Sequence, residues 1–153
     1  MIDGNGILHS NRFGLASHLG VLENIVTIGC GKTVFAVDGI NKKIVKEISN
    51  TKLLKGGDFE YLKGDSGAIW GAALRSHENS TVPMIISIGN KICLDSAIKI
   101  VKDCIVFRVP EPIRIADKIS RKLLSFWEHK NFEKFDIQKY VQDHHEELYS
   151  NLE

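Results

Sequence analysis

The chain has 153 residues, of which 43% are hydrophobic and 25% are charged, and its formal net charge is +1. These values fit a single globular domain and exclude a disordered chain; a nucleic-acid-binding protein with this charge must concentrate its lysine and arginine locally. The sequence has no apolar run near the ~20 residues that a membrane-spanning helix needs and no secretory signal, so we expect no membrane partner.

The predicted elements begin with a strand, a glycine loop and a helix. Met1 and Ile2 are predicted to end a buried strand, and the loop at residues 3–6 follows it. Apolar residues then recur at spacings of three and four from Phe13, including Ala16, Leu19 and Leu22, which predicts a helix buried along that stripe. The β-branched residues 25–29 predict a second strand, parallel to the first, that brings Lys32 to the same edge as Asp3.

The middle of the chain is predicted to add strands to this sheet. Residues 38–58 contain several glycines and many lysines, which favours a surface excursion. Antiparallel strands are then predicted at residues 59–62, 68–75 and 84–88.

The last third of the chain is predicted to be mainly helical. Helices are predicted at residues 94–101, from Pro110 onwards and from about Asp136 to Leu148, with a short extended piece at residues 105–108. Three scattered cysteines, Cys30, Cys93 and Cys104, lack zinc-site spacing. We expect them to be reduced thiols in a cytoplasmic or nuclear protein, the nucleolus included.

The glycine loop has the layout of an active-site edge in an α/β sheet. A carboxylate, Asp3, ends the strand; Gly4 and Gly6 leave the backbone bare, and His9 follows on the same loop. An ordinary β-to-α turn, in which Asp3 only caps the backbone, explains the same spacing. Spacing alone leaves both interpretations open.

In several stretches the identities of the residues are more specific than their spacing. The first stretch reads D-G-x-G-x-x-H from Asp3 to His9, followed by F-G-x-A-x-H-x-G-V from Phe13 to Val21. Further motifs stand at residues 29–32, 64–67, 73–76, 86–89 and 110–117. Together they resemble the endonuclease V family, nucleases that cut nucleic acid near inosine or deoxyinosine. The resemblance covers residues 1–122, and residues 123–153 are expected to form a helical C-terminal tail.

The resemblance implies an α/β fold, namely a ribonuclease H-like mixed sheet with flanking helices. In the family, antiparallel strands upstream of the equivalent of Asp3 carry further catalytic carboxylates. We therefore expect this chain to lack the first strands of the fold. A truncated product, a fragment and a degenerate copy all remain open.

The resemblance also implies site residues. Asp3 corresponds to a metal ligand for Mg²⁺, with Mn²⁺ as an alternative, and His9 and Lys32 are expected to handle the phosphate. Gly4 and Gly6 are expected to line the pocket for an extruded base. Asp117 is expected to support the metal; an ion pair with a neighbouring arginine of its helix is the alternative.

The function implied by the resemblance is Mg²⁺-dependent hydrolysis of the phosphodiester 3′ to inosine in RNA or deoxyinosine in DNA. The expected partner is single-stranded RNA or DNA that contains inosine, and RNA is favoured because residues 64–67 and 73–76 look closer to animal members. The alternative is a catalytically dead remnant that only binds nucleic acid. An exposed sheet edge is also expected to cause self-association.

Overall fold

The structure is a computed structural model that describes residues 1–128 and 136–146. Its strands are β1 (Ile2–Asp3), β2 (Thr27–Gly31), β3 (Phe59–Lys63), β4 (Ile69–Leu74) and β5 (Met84–Asn90). Its helices are α1 (Leu15–Leu22), α2 (Lys42–Thr51), α3 (Leu94–Asp103), α4 (Glu111–Glu128) and α5 (Ile137–Asp143).

The strands form one mixed sheet in the order β1-β2-β5-β4-β3. β1 runs parallel to β2, with Asp3 opposite Cys30, and the remaining strand pairs are antiparallel. The predicted parallel start and the three later antiparallel strands are confirmed. Because β1 and β2 are parallel, their carboxyl ends meet at one edge of the sheet.

Helix α1 packs against β2 and β5 through small residues. Its buried residues are Ala16, Ser17 and Gly20. A Cβ atom on Gly20 would lie 2.2 Å from Oγ1 of Thr27, so only glycine allows this close approach. The Thr27 hydroxyl also donates a hydrogen bond to the Ala16 carbonyl at 2.7 Å, which joins the helix to the strand.

The predicted apolar stripe of α1 is wrong in part. Ala16 is fully buried, but Phe13 and Leu22 are 44% and 69% exposed. The helix begins at Leu15 rather than Phe13, and it buries its small residues because β2 and β5 come too close for large ones. β2 likewise begins at Thr27, and the first residues of its predicted range are exposed.

Helix α2 lies inside the segment that the sequence predicted as a surface excursion. The side chain of Asn41 caps it by accepting hydrogen bonds from the backbone N–H groups of Lys43 and Ile44, at 2.9 and 3.2 Å. Val45 is its one buried residue, and Ile48 packs partly buried against the core. Ile44, Val45 and Ile48 stand at helical spacing, so the sequence carries a local signal for this helix that the prediction missed.

One face of the sheet carries the main hydrophobic cluster. Its buried members come from the N-terminal loop, the loops after β2 and after α2, α2 itself and the sheet: Leu8, Val34, Ile40, Val45, Leu53, Leu62, Trp70, Ala73 and Ile85. Helix α3 packs against β4 and β5 through other buried residues, Ala97, Ile98 and Val101. These helices and strands hold the β1–β2 edge in place.

The chain divides into two compact units, Met1–Pro110 and Glu111–Glu153. The second contains α4 and α5, and Leu148, predicted within the last helix, lies outside the described residues.

The predicted extended piece at residues 105–108 is wrong, because these residues form bends. In the part of the chain that the structure describes, no helix combines the length and the apolar character that membrane crossing requires.

Candidate active site

Asp3 and Lys32 meet at the carboxyl ends of β1 and β2. The Lys32 ammonium donates to Oδ2 of Asp3 at 2.6 Å, and the two side chains are 45% and 44% exposed. An exposed pair of this kind contributes only about 0–1 kcal/mol to stability. The pair is therefore better suited to contacting a charged ligand than to stabilising the fold.

The glycine loop is pressed against β5 at Gly6. The Gly6 N–H donates to Oγ of buried Ser87 at 2.7 Å, and the Ile7 N–H donates to the Ile88 carbonyl at 2.8 Å. A Cβ atom on Gly6 would lie 1.9 Å from that carbonyl oxygen. Close packing thus already requires glycine at this position, whatever ligand the loop binds.

Gly4 differs from Gly6 in having space beside it. The nearest atoms to a Cβ added at Gly4 belong to the Leu15 side chain, at 3.4 Å, which is ordinary van der Waals contact. Leu15 is itself 58% exposed. The predicted role of both glycines in base binding stays a prediction.

The start of α1 fixes the shape of this loop. The Gly14 N–H donates to the Gly6 carbonyl at 2.9 Å, and the Ala16 N–H donates to the Asn5 carbonyl at 3.0 Å. A Cβ atom on Gly31 would lie 2.6 Å from Oδ1 of Asn5. Because the loop lies directly on β2, the position of Asp3 is well defined.

His9 contacts the loop that follows β2. Its ring centroid is 4.6 Å from that of Phe35, three residues beyond Lys32 in sequence, and its Nδ1 accepts the Asn11 N–H at 3.4 Å. The structure therefore brings Asp3 and Lys32 into direct contact and holds His9 on the Phe35 ring. A catalytic role for His9 stays a prediction.

Arg108 is a positioning residue that the sequence interpretation missed. Its guanidinium donates to the Lys32 carbonyl at 3.1 Å and to the Val82 carbonyl at 3.3 Å, and the Ser76 hydroxyl donates to the Arg108 carbonyl at 2.7 Å. Arg108 thereby ties the Lys32 loop to the segment before β5. A contact between residues 76 positions apart leaves no local signal in the sequence.

Cys30 lies directly opposite Asp3 in the β1–β2 pairing and is fully buried. Burial, with a smaller contribution from the negative charge of Asp3, raises the pKa of the Cys30 thiol to about 12. The thiol is therefore neutral at physiological pH and does not serve as a nucleophile.

Asp117 lies on α4, in the second unit. Its carboxylate accepts from the Arg121 guanidinium at 2.8 Å, which is an ion pair of the kind that the alternative interpretation expected. Arg114 instead pairs with Glu111 at 2.6 Å, and this hydrogen bond raises the pKa of the Arg114 guanidinium. A metal role for Asp117 stays a prediction.

A divalent cation at this edge would require oxygen ligands. Mg²⁺ in proteins is held by oxygen atoms, commonly one or two carboxylates together with substrate phosphate and water. Asp3 fits the role of one such ligand because its carboxylate is accessible. Within the described residues, no three histidine, cysteine, aspartate or glutamate side chains come together where they could hold a metal ion.

A second polar cluster holds the loop after β2 on the β3–β4 turn. The Asp38 carboxylate accepts from the Ser66 backbone N–H at 3.0 Å, from the Ser66 hydroxyl at 2.5 Å and from Nε1 of Trp70 at 2.7 Å. These donors lower the pKa of Asp38. Arg12 lies over the Trp70 ring at 4.5 Å. The sequence interpretation found no role for Asp38.

Comparison with known proteins settles the family. The family model for endonuclease V matches residues 1–118 of this chain. The chain belongs to the endonuclease V family.

The curated relatives are longer than this chain. Endonuclease V of Mus musculus is 44% identical over 124 residues, which are 81% of this chain and 37% of the relative. Endonuclease V of Homo sapiens is 43% identical over 122 residues, 80% of this chain and 43% of the relative. The chain thus spans less than half the length of these two members of the endonuclease V family.

Solved endonuclease V structures share the fold. The catalytic domain of human endonuclease V superposes with a TM-score of 0.77 and 43% identity, over 84% of this chain and 52% of that one. Endonuclease V of Ciona intestinalis, in complex with a 24mer DNA containing an inosine followed by a ribo-adenosine, gives 0.75 and 39% identity, over 80% and 53%. The ribonuclease H-like mixed sheet with flanking helices is therefore confirmed.

Proposed function

We propose that this chain carries part of an endonuclease V site that hydrolyses the phosphodiester 3′ to inosine in RNA or deoxyinosine in DNA. The observation that carries the proposal is the accessible pair of Asp3 and Lys32 at the β1–β2 edge. It is supported by family membership and by the inosine-containing DNA bound to the Ciona intestinalis relative.

In this proposal Asp3 is one ligand of Mg²⁺, or alternatively Mn²⁺, and Asp117 is a supporting ligand. The bound metal would supply an activated water and charge stabilisation at the leaving oxygen. Lys32 would contact the scissile phosphate through its ammonium group, which a phosphate can reach because the side chain is 45% exposed. His9 would contact the same phosphate or protonate the leaving oxygen.

The proposed substrate is single-stranded, because a base can be recognised by this loop only when it is out of a stack. Gly4 and Gly6 would line the base pocket. Gly4 lies against the exposed side chain of Leu15, which could contact a base, and this supports the assignment for Gly4. RNA is the favoured substrate, because residues 64–67 and 73–76 resemble the corresponding segments of animal members of the family.

A second candidate function is nucleic-acid binding without catalysis. The observation that favours it is that the described residues bring no three potential metal ligands together. For either function we propose a cytoplasmic or nuclear location, the nucleolus included. The free cysteines Cys30, Cys93 and Cys104 are consistent with a reducing compartment.

A cleavage assay separates the two functions. The 153-residue chain is incubated with Mg²⁺ and single-stranded RNA or DNA containing one inosine or deoxyinosine. We expect little or no cutting, because one carboxylate gives weak metal binding. Robust Mg²⁺-dependent cutting one phosphodiester beyond the inosine would exclude the binding-only function.

A substitution in an active, longer form tests the role of Asp3. Asp3→Ala should abolish cutting without unfolding the protein, because the exposed pair with Lys32 adds only about 0–1 kcal/mol of stability. Asp103→Ala removes an exposed carboxylate of α3 and serves as the matched control. Normal cutting by Asp3→Ala would refute the metal role.

A further inference from the structure

An open groove adjoins the candidate active site. It has a volume of about 460 Å³ and lies between α2 and the segments that follow β2 and precede β5. We call it the α2 groove, lined by Lys32, Val34, Lys42, Val45, Lys46 and Ile85 among others. Because Lys32 both lines this groove and pairs with Asp3, the groove is continuous with the candidate active site.

The rim of the α2 groove is positively charged. Lys32, Lys42 and Lys46 line it, and none of its lining residues is acidic. Lys42 and Lys46 are one helical turn apart on α2, so their ammonium groups share one face of the helix with Ser49. Such a rim favours an anionic ligand over a neutral or cationic one.

The floor of the α2 groove is apolar. Val34, Val45 and Ile85 line it and are 8%, 7% and 1% exposed. Inorganic phosphate would leave such a floor uncovered, whereas a nucleotide combines an anionic phosphate with the flat apolar face of a base. The volume also lies within the range of about 300–1,000 Å³ that is common for small-molecule sites.

Hydrogen bonds hold the walls of the α2 groove in place. The Ser49 hydroxyl donates to the Thr81 carbonyl at 3.2 Å, which joins α2 to the segment before β5. Arg108 joins that segment, through the Val82 carbonyl, to Lys32. A groove whose walls are already fixed loses little conformational freedom when a ligand binds.

We propose that the α2 groove binds one unpaired nucleotide of the substrate strand, adjacent to the scissile phosphate. Lys42 and Lys46 hold the phosphate of this nucleotide, and the apolar floor receives its base. The inference rests on the proposed function, because it takes the Asp3–Lys32 pair as the point where the strand is cut. It extends the nucleic-acid contact beyond that pair along α2.

The test measures binding of the full chain to a fluorescein-labelled single-stranded RNA with one inosine, by fluorescence anisotropy. The variant Lys42→Gln/Lys46→Gln neutralises the rim, and Lys43→Gln/Lys55→Gln removes the same charge at exposed lysines outside the groove. We expect about tenfold weaker binding for the rim variant and little change for the control. Circular dichroism checks that both variants fold.

The salt dependence gives a second readout. Each lost phosphate contact to a single strand reduces the magnitude of the slope of log K against log salt by about 0.7, so the rim variant, which loses one phosphate contact, should show a slope smaller by about 0.7. Equal effects of the two double variants, or no effect of the rim variant, would overturn the groove assignment. Equally tight binding of a polyglutamate peptide of matched charge would overturn it as well.

Neutral methylphosphonates placed one at a time along the RNA locate the contact. One substitution beside the inosine should weaken binding to the wild-type chain and have no further effect in the rim variant. If Lys42→Gln/Lys46→Gln still weakens binding but inosine and adenosine RNA bind equally, the proposed inosine specificity is refuted and the groove assignment is retained. If inosine RNA binds more tightly but Lys42→Gln/Lys46→Gln does not weaken binding, the groove assignment is refuted and the proposed function is retained.

Discussion

At the scale of single residues, Asp38 links stability to pH. Its pKa is lowered because the Ser66 hydroxyl and Nε1 of Trp70 donate to the ionised carboxylate. A carboxylate with a lowered folded-state pKa stabilises the protein above its ordinary value of 3.8, and this stabilisation is lost as pH falls through the folded-state value.

The variant Asp38→Asn tests this linkage. It should melt at a lower temperature than the wild type at neutral pH, because an amide oxygen is a weaker acceptor. The difference should shrink as pH falls below 3.8, the ordinary value of this carboxyl. Thermal melts across pH measure it, with Asp103→Asn as an exposed control; a difference that stays constant with pH would contradict the linkage.

Ser87 is the residue that fixes the glycine loop on β5. It is fully buried, and its hydroxyl accepts the Gly6 N–H. Ser87→Ala leaves this buried donor unpaired, so we expect a loss of about 1–3 kcal/mol in the free energy of unfolding. Urea denaturation measures the loss, and Ser10→Ala, at an exposed loop position, should change little. Unchanged stability of the Ser87 variant would mean that the loop is held by other contacts.

At the scale of elements, α2 depends on its cap. The Asn41 side chain accepts hydrogen bonds from two backbone N–H groups at the start of this helix, and Val45 is the one buried residue along it. Asn41→Ala should therefore cost about 1 kcal/mol of unfolding free energy. Asn50→Ala, an exposed position near the other end of α2, should cost nothing because alanine is the better helix former. Equal losses in urea denaturation for both variants would refute the capping role.

The connection between α1 and β2 depends on another asparagine. The Asn90 side chain donates to the Gly20 carbonyl at 2.7 Å and to the Ile25 carbonyl at 2.9 Å. In this chain Asn90 joins the end of β5 to the turn after α1, which gives it a structural role that its sequence context did not indicate.

At the scale of the whole molecule, we predict that the isolated chain self-associates. Exposed apolar side chains gather at α1 and the turn after it: Leu15 58%, Val21 57%, Leu22 69%, Ile25 48% and Val26 57%. Among the described strands, β1 pairs only with β2, so its other edge offers backbone groups to a second copy. A net charge of +1 gives little repulsion between copies.

Size-exclusion chromatography with light scattering tests self-association. The wild-type chain should elute as oligomers or aggregates, and Leu22→Lys/Val26→Lys should shift it towards the monomer. Ile100→Lys, at a partly exposed apolar position on α3, is the control and should not. A monodisperse wild-type monomer that unfolds cooperatively would refute the prediction.

The sequence by itself determined the family, the mixed sheet and the edge at which Asp3 and Lys32 meet. β1 ends at Asp3, and the parallel strand β2 ends directly before Lys32. Because the two strands pair side by side, their carboxyl ends bring Asp3 and Lys32 together. The antiparallel strands were also predictable, since short runs rich in apolar and aromatic residues and bounded by turn residues are local signals.

Only the tertiary structure decided which residues support that edge. Ser87 and Arg108 act through hydrogen bonds to Gly6 and Lys32, 81 and 76 positions away in the chain, and no local pattern records such contacts. The burial of α1 through small residues has the same origin, because the space available to a helix is set by the strands it packs on. The α2 groove exists only because α2 folds back beside Lys32, and this proximity comes from packing rather than from the order of residues.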